Sequence, residues 1–280
     1  MINPYCTLQE AKDWGTGRGQ AMGADGVDDG IIEDIIEGVS RYFDEYTGRT
    51  FYPRYETRRY TVPHGQNDNS ILFLDDDLLE VVTITNGNAV ALASTEYYLK
   101  PYNYSPAYAL QMIETSGYTW EPTSAGAYTN AIQIAAWWGF HNRYNQRAWI
   151  FGGTLGAAMA DTTTASATLT AGHSIRAGDV IKIGTEIFNV SAVTATTATF
   201  NQRGDNGSTA ATHLIGTTIY KWNPITEIKQ ACLQSVLNVY ASRTGQSSAG
   251  RVTITGAGVV VRPDDIPQLA MKTLEGLVRQ

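Results

Sequence analysis

The clearest alternation of apolar and polar positions lies between residues 28 and 48, in "DDGIIEDIIEGVSRYFDEYTG". Its apolar residues recur at steps of three and four, and its acidic residues occupy the opposite side, which is typical of an amphipathic helix. Asp28 is expected to cap the start of this helix and Gly48 to end it. The predicted buried stripe consists of Ile32, Ile36, Val39, Phe43 and Tyr46.

Three other segments predict helices. Thr7 and Glu10 have the spacing of a capping box before a short helix that ends near Gly15. A longer helix is expected to follow Asn223, and a last one to lie within residues 263–280. The longer helix has a predicted buried stripe of Ile225, Ile228, Cys232, Val236 and Val239.

Short extended runs fill residues 54–140, because their residues alternate or are β-branched and Pro, Gly and Asn separate them. "NGN" at residues 86–88 predicts a hairpin, and "AIQIAAWWGF" at 131–140 predicts a strand. A further hairpin is expected within 251–261. The aspartates at 75–77 suggest either a solvated turn or a divalent-cation site; we favour the turn, because consecutive strand residues point to opposite faces.

Composition changes between residues 148 and 222, where Thr, Ala and Gly dominate and four acidic residues balance four basic ones. Regularly spaced short strands there predict a small separate β-domain. We therefore predict an α+β fold. A small helical bundle with attached antiparallel strands would form an adaptor domain from residues 1–147 and 223–280, and an inserted all-β domain, a small barrel or sandwich, would form from residues 148–222.

Overall charge argues against general nucleic-acid binding, since the net charge is −7 and phosphate affinity comes mainly from Lys and Arg. Charged residues make up 17% of the chain, below the roughly 25% of ordinary domains. Either a partner covers part of the surface or the fold is rich in strands. No apolar run approaches the ~18 residues of a membrane span. We expect no signal peptide and synthesis in a cytosol.

Residues with catalytic or metal-binding chemistry form no recognisable pattern. The two cysteines, Cys6 and Cys232, lie in no CxxC or Cys/His cluster, and the four histidines are scattered. "GTGRGQ" lacks the Lys-Ser/Thr pair of a phosphate-binding loop, and no GxSxG motif occurs. We therefore predict that the protein is not an enzyme and has no catalytic residues, cofactor or metal site.

The stretch "YTGRTFYPRYETRRYTVPHG" at residues 46–65 interleaves tyrosines with arginines. Three interpretations stay open: a protein interface, in which Tyr and Arg are enriched; an exposed strand whose arginine stems cover apolar surface; and a stacking platform for single-stranded bases. The candidate interface residues of this stretch are Tyr52, Arg54, Tyr55, Arg58, Arg59 and Tyr60.

The order of several segments resembles the head-to-tail connector, or adaptor (head completion), proteins of tailed bacteriophages. The helix "DDGIIEDIIEGVSRYFDEYTGRTFYP" leads into "ETRRY", followed by "LLEVVTITNGN", "STEYYLKPYN", "WGF" and the late helix "IKQACLQSVLNVYASR". The resemblance covers residues 7–138 and 223–280, and the segment 148–222 is absent from the smallest members of that family.

The resemblance implies a virion structural protein of the neck. Copies of the chain would form a ring, with the portal's twelve-fold symmetry, between the portal protein and the tail or its terminator or stopper protein. DNA would pass through the lumen during genome ejection without sequence-specific binding. No membrane is involved, and the protein would be made in the host cytoplasm.

Apolar residues of the last predicted helix are candidates for contact with a neighbouring subunit or the portal, or else they complete the bundle. A second functional class is a neck or tail binding module, whose β-insertion recognises a host surface, a carbohydrate or another virion protein. The candidate residues of the last helix are Ile266, Leu269, Leu274 and Leu277.

Overall fold

The computed structural model describes residues 1–23, 26–65, 68–243, 254–255, 258–259 and 266–279. The chain divides into two compact units, which we call the discontinuous unit (Met1–Phe51 and Ala148–Gln280) and the continuous unit (Tyr52–Arg147). The described part of the discontinuous unit contains four α-helices: α1 (Leu8–Thr16), α2 (Asp29–Thr47), α3 (Thr226–Arg243) and α4 (Gln268–Glu275).

Helix α1 begins at the predicted capping box. The side chain of Thr7 accepts a hydrogen bond from the Glu10 amide at 3.2 Å, and Glu10 Oε2 accepts one from the Thr7 amide at 2.9 Å. Two of the amides that have no partner within the helix are thereby satisfied. The prediction of the capping box is confirmed.

Helix α2 ends at Gly48, as predicted. Gly48 has a φ of 64°, a left-handed conformation that glycine adopts without steric cost, and its amide donates to the Asp44 carbonyl at 2.9 Å. The other end differs from the prediction, because Asp28 precedes the helix but makes no capping hydrogen bond to it. Its Oδ2 accepts instead from the Tyr240 hydroxyl at 2.6 Å.

Helix α3 contacts each of the other three helices. The predicted stripe is buried throughout, and the burial extends to other sides of the helix. Leu274 on α4 and Ile266, which precedes α4, are buried as well. No helix in the described ranges is both long and apolar enough to cross a membrane.

The continuous unit is built on an antiparallel sheet with strand order β1-β6-β2-β5-β4, to which β3 is added beside β2. Pairing of Thr85 with Ala91 confirms the predicted "NGN" hairpin, and β6 confirms the predicted strand at 131–140. The strands of this first sheet are β1 (Arg54–Tyr60), β2 (Ile71–Thr85), β3 (Ala91–Leu92), β4 (Tyr97–Lys100), β5 (Ala107–Met112) and β6 (Ile132–Trp138).

The three aspartates at residues 75–77 lie inside β2, so the prediction of a turn is wrong. The pairing of β2 with β5 jumps from Phe73↔Ala109 to Leu78↔Ala107, which identifies a bulge. Asp76 and Asp77 are buried there. Arg54 and Arg58 on β1 pair with the Asp76 carboxylate in this position, and the sequence around Asp76 does not show them.

The second sheet lies in the discontinuous unit, with order β7-β12-β9-β10-β11-β8. A bridge between Leu155 and Leu169 joins the segments that follow the two edge strands, so the edges meet around a core that contains Phe188 and Phe200. Its strands are β7 (Trp149–Thr154), β8 (Ser166–Thr168), β9 (Val180–Ile183), β10 (Glu186–Val193), β11 (Thr197–Phe200) and β12 (Thr218–Trp222).

The predicted fold class, with a helical bundle at its centre, is wrong. Two six-stranded antiparallel sheets dominate the structure and the helices are few. The physical reason is that the strands between residues 54 and 138 bury a hydrophobic core of their own. In the predicted hairpin at 251–261, β13 (Ile254–Thr255) pairs antiparallel with β14 (Gly258–Val259). The other residues of the predicted hairpin lie outside the described residues.

The predicted domain boundaries at residues 147/148 and 222/223 stay a prediction. The segment 148–222 corresponds closely to the second sheet, which begins at Trp149 and ends at Trp222. That sheet belongs to the same compact unit as the helices.

Candidate interaction site

Strand β1 carries most of the predicted tyrosine–arginine interface, and two of its arginines, Arg54 and Arg58, bind carboxylates of the same unit. Arg58 Nη1 lies 2.9 Å from Asp75 Oδ1, and Arg58 Nη2 lies 2.8 Å from Asp76 Oδ2. Arg54 also donates to Asp76, and Arg58 Nε donates to Glu56 at 3.0 Å. We call these five residues the arginine–aspartate cluster.

Two aromatic residues complete the surroundings of Arg58. Its guanidinium lies over the Trp138 ring, 4.6 Å from the centroid, and the Tyr60 hydroxyl donates to Asp75. Burial alone would raise the pKa of the Asp75 carboxyl, but hydrogen bonds from Tyr60 and Arg58 outweigh burial and hold that pKa below its ordinary value. Burial and the Asp75 carboxylate raise the pKa of Tyr60, so its hydroxyl stays protonated.

The predicted interface residues of this stretch therefore differ in accessibility. Arg59 is exposed, Tyr52 and Tyr55 are half-buried, and Tyr60 is buried. Tyr55 packs on Trp137 with ring centroids 5.4 Å apart. The Arg58 guanidinium over Trp138 and the carboxylates bound by Arg54 and Arg58 fit the interpretation of a strand stabilised within its own unit, and the interface role stays a prediction.

A group of exposed tyrosines of the continuous unit lies elsewhere, on and after β4. Tyr98 is 48% exposed, Tyr102 59%, Tyr104 78% and Tyr108 53%. The Tyr98 and Tyr102 rings meet edge to face, 5.4 Å apart. Sequence reasoning missed these residues, although the run "TEYYLKPYNYSPAY" concentrates tyrosines within a dozen positions and was a usable signal.

Tyr102 and Tyr104 line a cleft of about 270 Å³, which we call the tyrosine cleft. Its other walls come from β2, from the end of β4, from the segment before β5 and from the turn that precedes β7. The lining residues include the apolar Leu78, Leu79, Leu99 and Pro101 and the polar Asn103, Asn142, Arg143, Asn145 and Gln146.

The chemistry of the tyrosine cleft is that of binding. Its lining residues, all of which the structure describes, include no Asp, Glu, His, Cys or Lys, so they offer no acid–base pair. Aromatic rings, amides and a guanidinium over an apolar floor are the groups enriched in protein interfaces and paratopes. The tyrosine cleft is therefore the best candidate for contact with another polypeptide.

The second sheet exposes a smaller apolar patch. Phe151 on β7 pairs across the ladder with Tyr220 on β12, and the two are 65% and 41% exposed. Ile150 is 39% exposed beside them. A cross-strand aromatic pair of this kind stabilises a sheet and also offers apolar contact area to a partner.

Ionisable groups inside the second sheet form a closed network around Glu186, which is fully buried. Arg203 binds both carboxylate oxygens of Glu186, at 2.8 and 2.9 Å, and His213 Nε2 lies 2.8 Å from Oε2. The amides of Gly204 and Ala211 donate to the same carboxylate. Burial alone would raise the pKa of Glu186, but these hydrogen bonds lower it below its ordinary value.

This network stabilises loops and offers no open site. All its polar partners belong to the protein, and the other three histidines lie apart from it. Within the described ranges, no group of three or more His, Cys, Asp or Glu side chains is arranged to hold a metal ion.

A second cavity, of about 130 Å³, lies in the discontinuous unit between the N-terminal segment, α3 and the second sheet. Two ion pairs line it: Lys229 with Glu10 at 2.7 Å, and Lys221 with Asp179 at 3.3 Å. Burial raises the pKa of Asp179 even though Lys221 opposes that effect. Cys6 also lines this cavity.

The last helix separates its four predicted contact residues. Leu274 is fully buried and Ile266 nearly so, which is consistent with packing inside the unit. Leu269 is 64% exposed, and Leu277 is half-buried. Leu269 is therefore the residue of this set that is most accessible to a partner, and the contact itself stays a prediction.

Comparisons of the chain with protein-family models, with curated proteins and with solved structures found no match.

Proposed function

We propose that the protein is a virion structural protein, a head-to-tail adaptor of a tailed bacteriophage whose copies assemble into a ring between portal and tail. The tyrosine cleft carries this proposal, because exposed aromatic residues beside amides suit protein–protein contact. The order of sequence segments that resembles the connector family supports the same conclusion and supplies the identity of the partners.

The charges of the protein are compatible with a DNA channel. The chain has a net charge of −7, and the Arg54 and Arg58 side chains, which looked suited to nucleic acid, are bound to carboxylates of the cluster. A ring with an acidic lumen would let DNA slide without holding it.

The mass of the assembled species tests this function directly. Native mass spectrometry of the full chain, alone and mixed with purified portal protein, is expected to show a closed ring or a stoichiometric complex with the portal. A second sample that lacks residues 263–280 tests whether the last helix contributes to that complex. A chain that stays monomeric at all concentrations and ignores the portal would contradict the proposal.

The exposed Phe151 and Tyr220 pair favours a second candidate, a binding module in which the second sheet recognises a host surface, a carbohydrate or another virion protein. Glycan-array binding by the wild-type chain, lost on Tyr220→Ser, would support the carbohydrate form. A silent array, together with portal binding, would favour the adaptor.

A further inference from the structure

The two cysteines of the chain meet inside the discontinuous unit. Cys6 Sγ and Cys232 Sγ are 3.4 Å apart, although 226 positions separate the residues in the sequence. Both are free and buried. A disulfide requires about 2.0 Å between the sulfur atoms, so each sulfur has to move by less than about 1 Å.

The backbone on both sides of Cys6 is fixed by hydrogen bonds. The Tyr5 amide donates to Ser40 Oγ at 3.1 Å, and its hydroxyl accepts from the Phe51 amide at 3.0 Å. On the other side, Thr7 forms the capping box of α1. Cys232 projects from the middle of α3. The backbone on both sides therefore holds the two sulfurs close to each other.

The surroundings of the two sulfurs are unequal. Cys6 lines the cavity of about 130 Å³, whereas Cys232 is fully buried and does not line it. One water molecule takes up about 30 Å³ in the liquid. The cavity therefore has room for hydrogen peroxide but is too small for glutathione disulfide.

We propose that Cys6 and Cys232 form a dithiol site that a small hydroperoxide oxidises to a disulfide, tying the N-terminal segment to α3. The inference rests on this geometry alone and does not depend on the proposed function.

The reaction takes two steps. The Cys6 thiolate attacks one peroxide oxygen, the O–O bond breaks, and one water leaves after protonation, which gives a sulfenic acid. Cys232 Sγ then attacks the Cys6 sulfur, the S–O bond breaks, and a second water leaves. The two thiols lose two electrons and two protons, and the peroxide is reduced to water. In a reducing cytosol thiols are kept reduced, so the bond forms where peroxide exceeds the reductant.

Oxidation is expected to be slow near neutral pH and faster as pH rises. The hydrogen bond with Cys232 and burial raise the pKa of the Cys6 thiol, so little thiolate is present. Glu10 acts in the same direction and Lys229 opposes it. The Asp179–Lys221 pair also lines the cavity.

The test treats the folded full chain with hydrogen peroxide and then maps its peptides without reduction. We expect a cross-linked peptide pair containing both cysteines, no free thiol on later alkylation, and a thermal midpoint raised by about 5 to 10 °C. Dithiothreitol should reverse all three changes. Intact thiols under conditions that oxidise the urea-unfolded chain, or sulfinic acid without a cross-link, would overturn the site.

Two matched variants test which sulfur reacts first. Cys232→Ser should accumulate a sulfenic acid at Cys6 that dimedone traps. Cys6→Ser should leave Cys232 unmodified, since that thiol is sealed from the cavity. Equal trapping in both variants would overturn the assigned order, and the wild-type peptide map decides the site even if one variant fails to fold.

Discussion

The two six-stranded sheets use the same ionic groups in different ways. The first sheet places the arginine–aspartate cluster along β1 and the bulge of β2, where Asp75 is 68% exposed at its side chain and Arg58 is 16% exposed. The second sheet seals Glu186 completely, with Arg203 only 5% exposed. The charged side chains of the first sheet form a cluster that is partly exposed to solvent. Those of the second sheet are buried at positions where apolar side chains would otherwise pack.

The difference lies in what each arginine holds. Arg203 donates to the carbonyls of Asp161 and Thr164, before β8, and of Ala211, before β12, as well as to Glu186 on β10. The Arg203 side chain therefore joins three segments: the loop before β8, the loop before β12, and strand β10. The two loops are outside the regular hydrogen-bond ladder of the sheet. Arg58 on β1 contacts Asp75 and Asp76 on β2. Strand β6 lies between β1 and β2 and pairs with both, so loss of Arg58 should leave most of the local structure in place.

The largest effect is expected from Glu186→Gln. This change leaves buried Arg203 with only the exposed Asp161 carboxylate, 4.0 Å away, as an anionic partner, so it should lower the free energy of unfolding of the discontinuous unit by about 3–5 kcal/mol. Urea denaturation, followed by hydrogen exchange of peptides from residues 148–222, measures it. The control is Glu45→Gln on the exposed side of α2, expected to change stability by less than about 0.5 kcal/mol.

Asp76→Asn is the matching change in the first sheet. It removes one anionic partner of Arg54 and Arg58, while Glu56 and Asp75 remain beside them. We expect a loss of about 1–3 kcal/mol, seen in peptides of the continuous unit. A loss equal to that of Glu186→Gln would break the proposed contrast between the surface cluster and the sealed network.

Acid should weaken the sealed network through one carboxyl group. The pKa of Glu186 lies below its ordinary value near 4.5, so its contribution to stability is complete above that pH and is lost as pH falls through the lowered value. Unfolding followed between pH 7 and pH 2 should therefore show a decline in stability below about pH 4.5 that is smaller in Glu186→Gln. A decline of unchanged size in that variant would show that other carboxylates cause it.

Local sequence predicted those features that depend on near neighbours. The capping box of α1, the glycine that ends α2, the hairpin at 86–88 and the strand β6 each rest on residues within a few positions of each other. Periodicity also gave the buried stripe of α3 correctly and most of that of α2, whereas Leu269 of the last helix is exposed. Sequence reasoning then joined those stripes into a dominant bundle, because periodicity shows that a face is apolar and not which element covers it.

Long-range pairs explain what the sequence did not show. Asp76 looked like part of a turn because its partners Arg54 and Arg58 lie 22 and 18 positions away. Glu186 and His213 carried no motif, and only the folding of β10 against the loops around them joins the two. The tyrosine cleft was visible as a run of tyrosines, but the turn at 142–146 that completes it lies some 40 positions further on.

Substitution of exposed aromatic residues is expected to have the smallest effect on stability. It is also the sharpest test of which sheet contacts a partner. Tyr102→Ser with Tyr104→Ser should change the unfolding free energy by less than about 1 kcal/mol, because both rings are mostly exposed. The same pair should weaken association at least about tenfold, since truncated aromatic anchors cost binding energy.

Sedimentation velocity over a concentration series measures that loss of association, with Tyr118→Ser as the control, since Tyr118 is 38% exposed in the same unit but does not line the cleft. The comparison variant in the second sheet is Phe151→Ser with Tyr220→Ser. If that pair abolishes assembly while the cleft variants assemble normally, the second sheet is the contact surface and the cleft is not. If both pairs of substitutions weaken assembly, each copy contacts one neighbour through the first sheet and the other neighbour through the second sheet. A head-to-tail ring joins two different surfaces in this way.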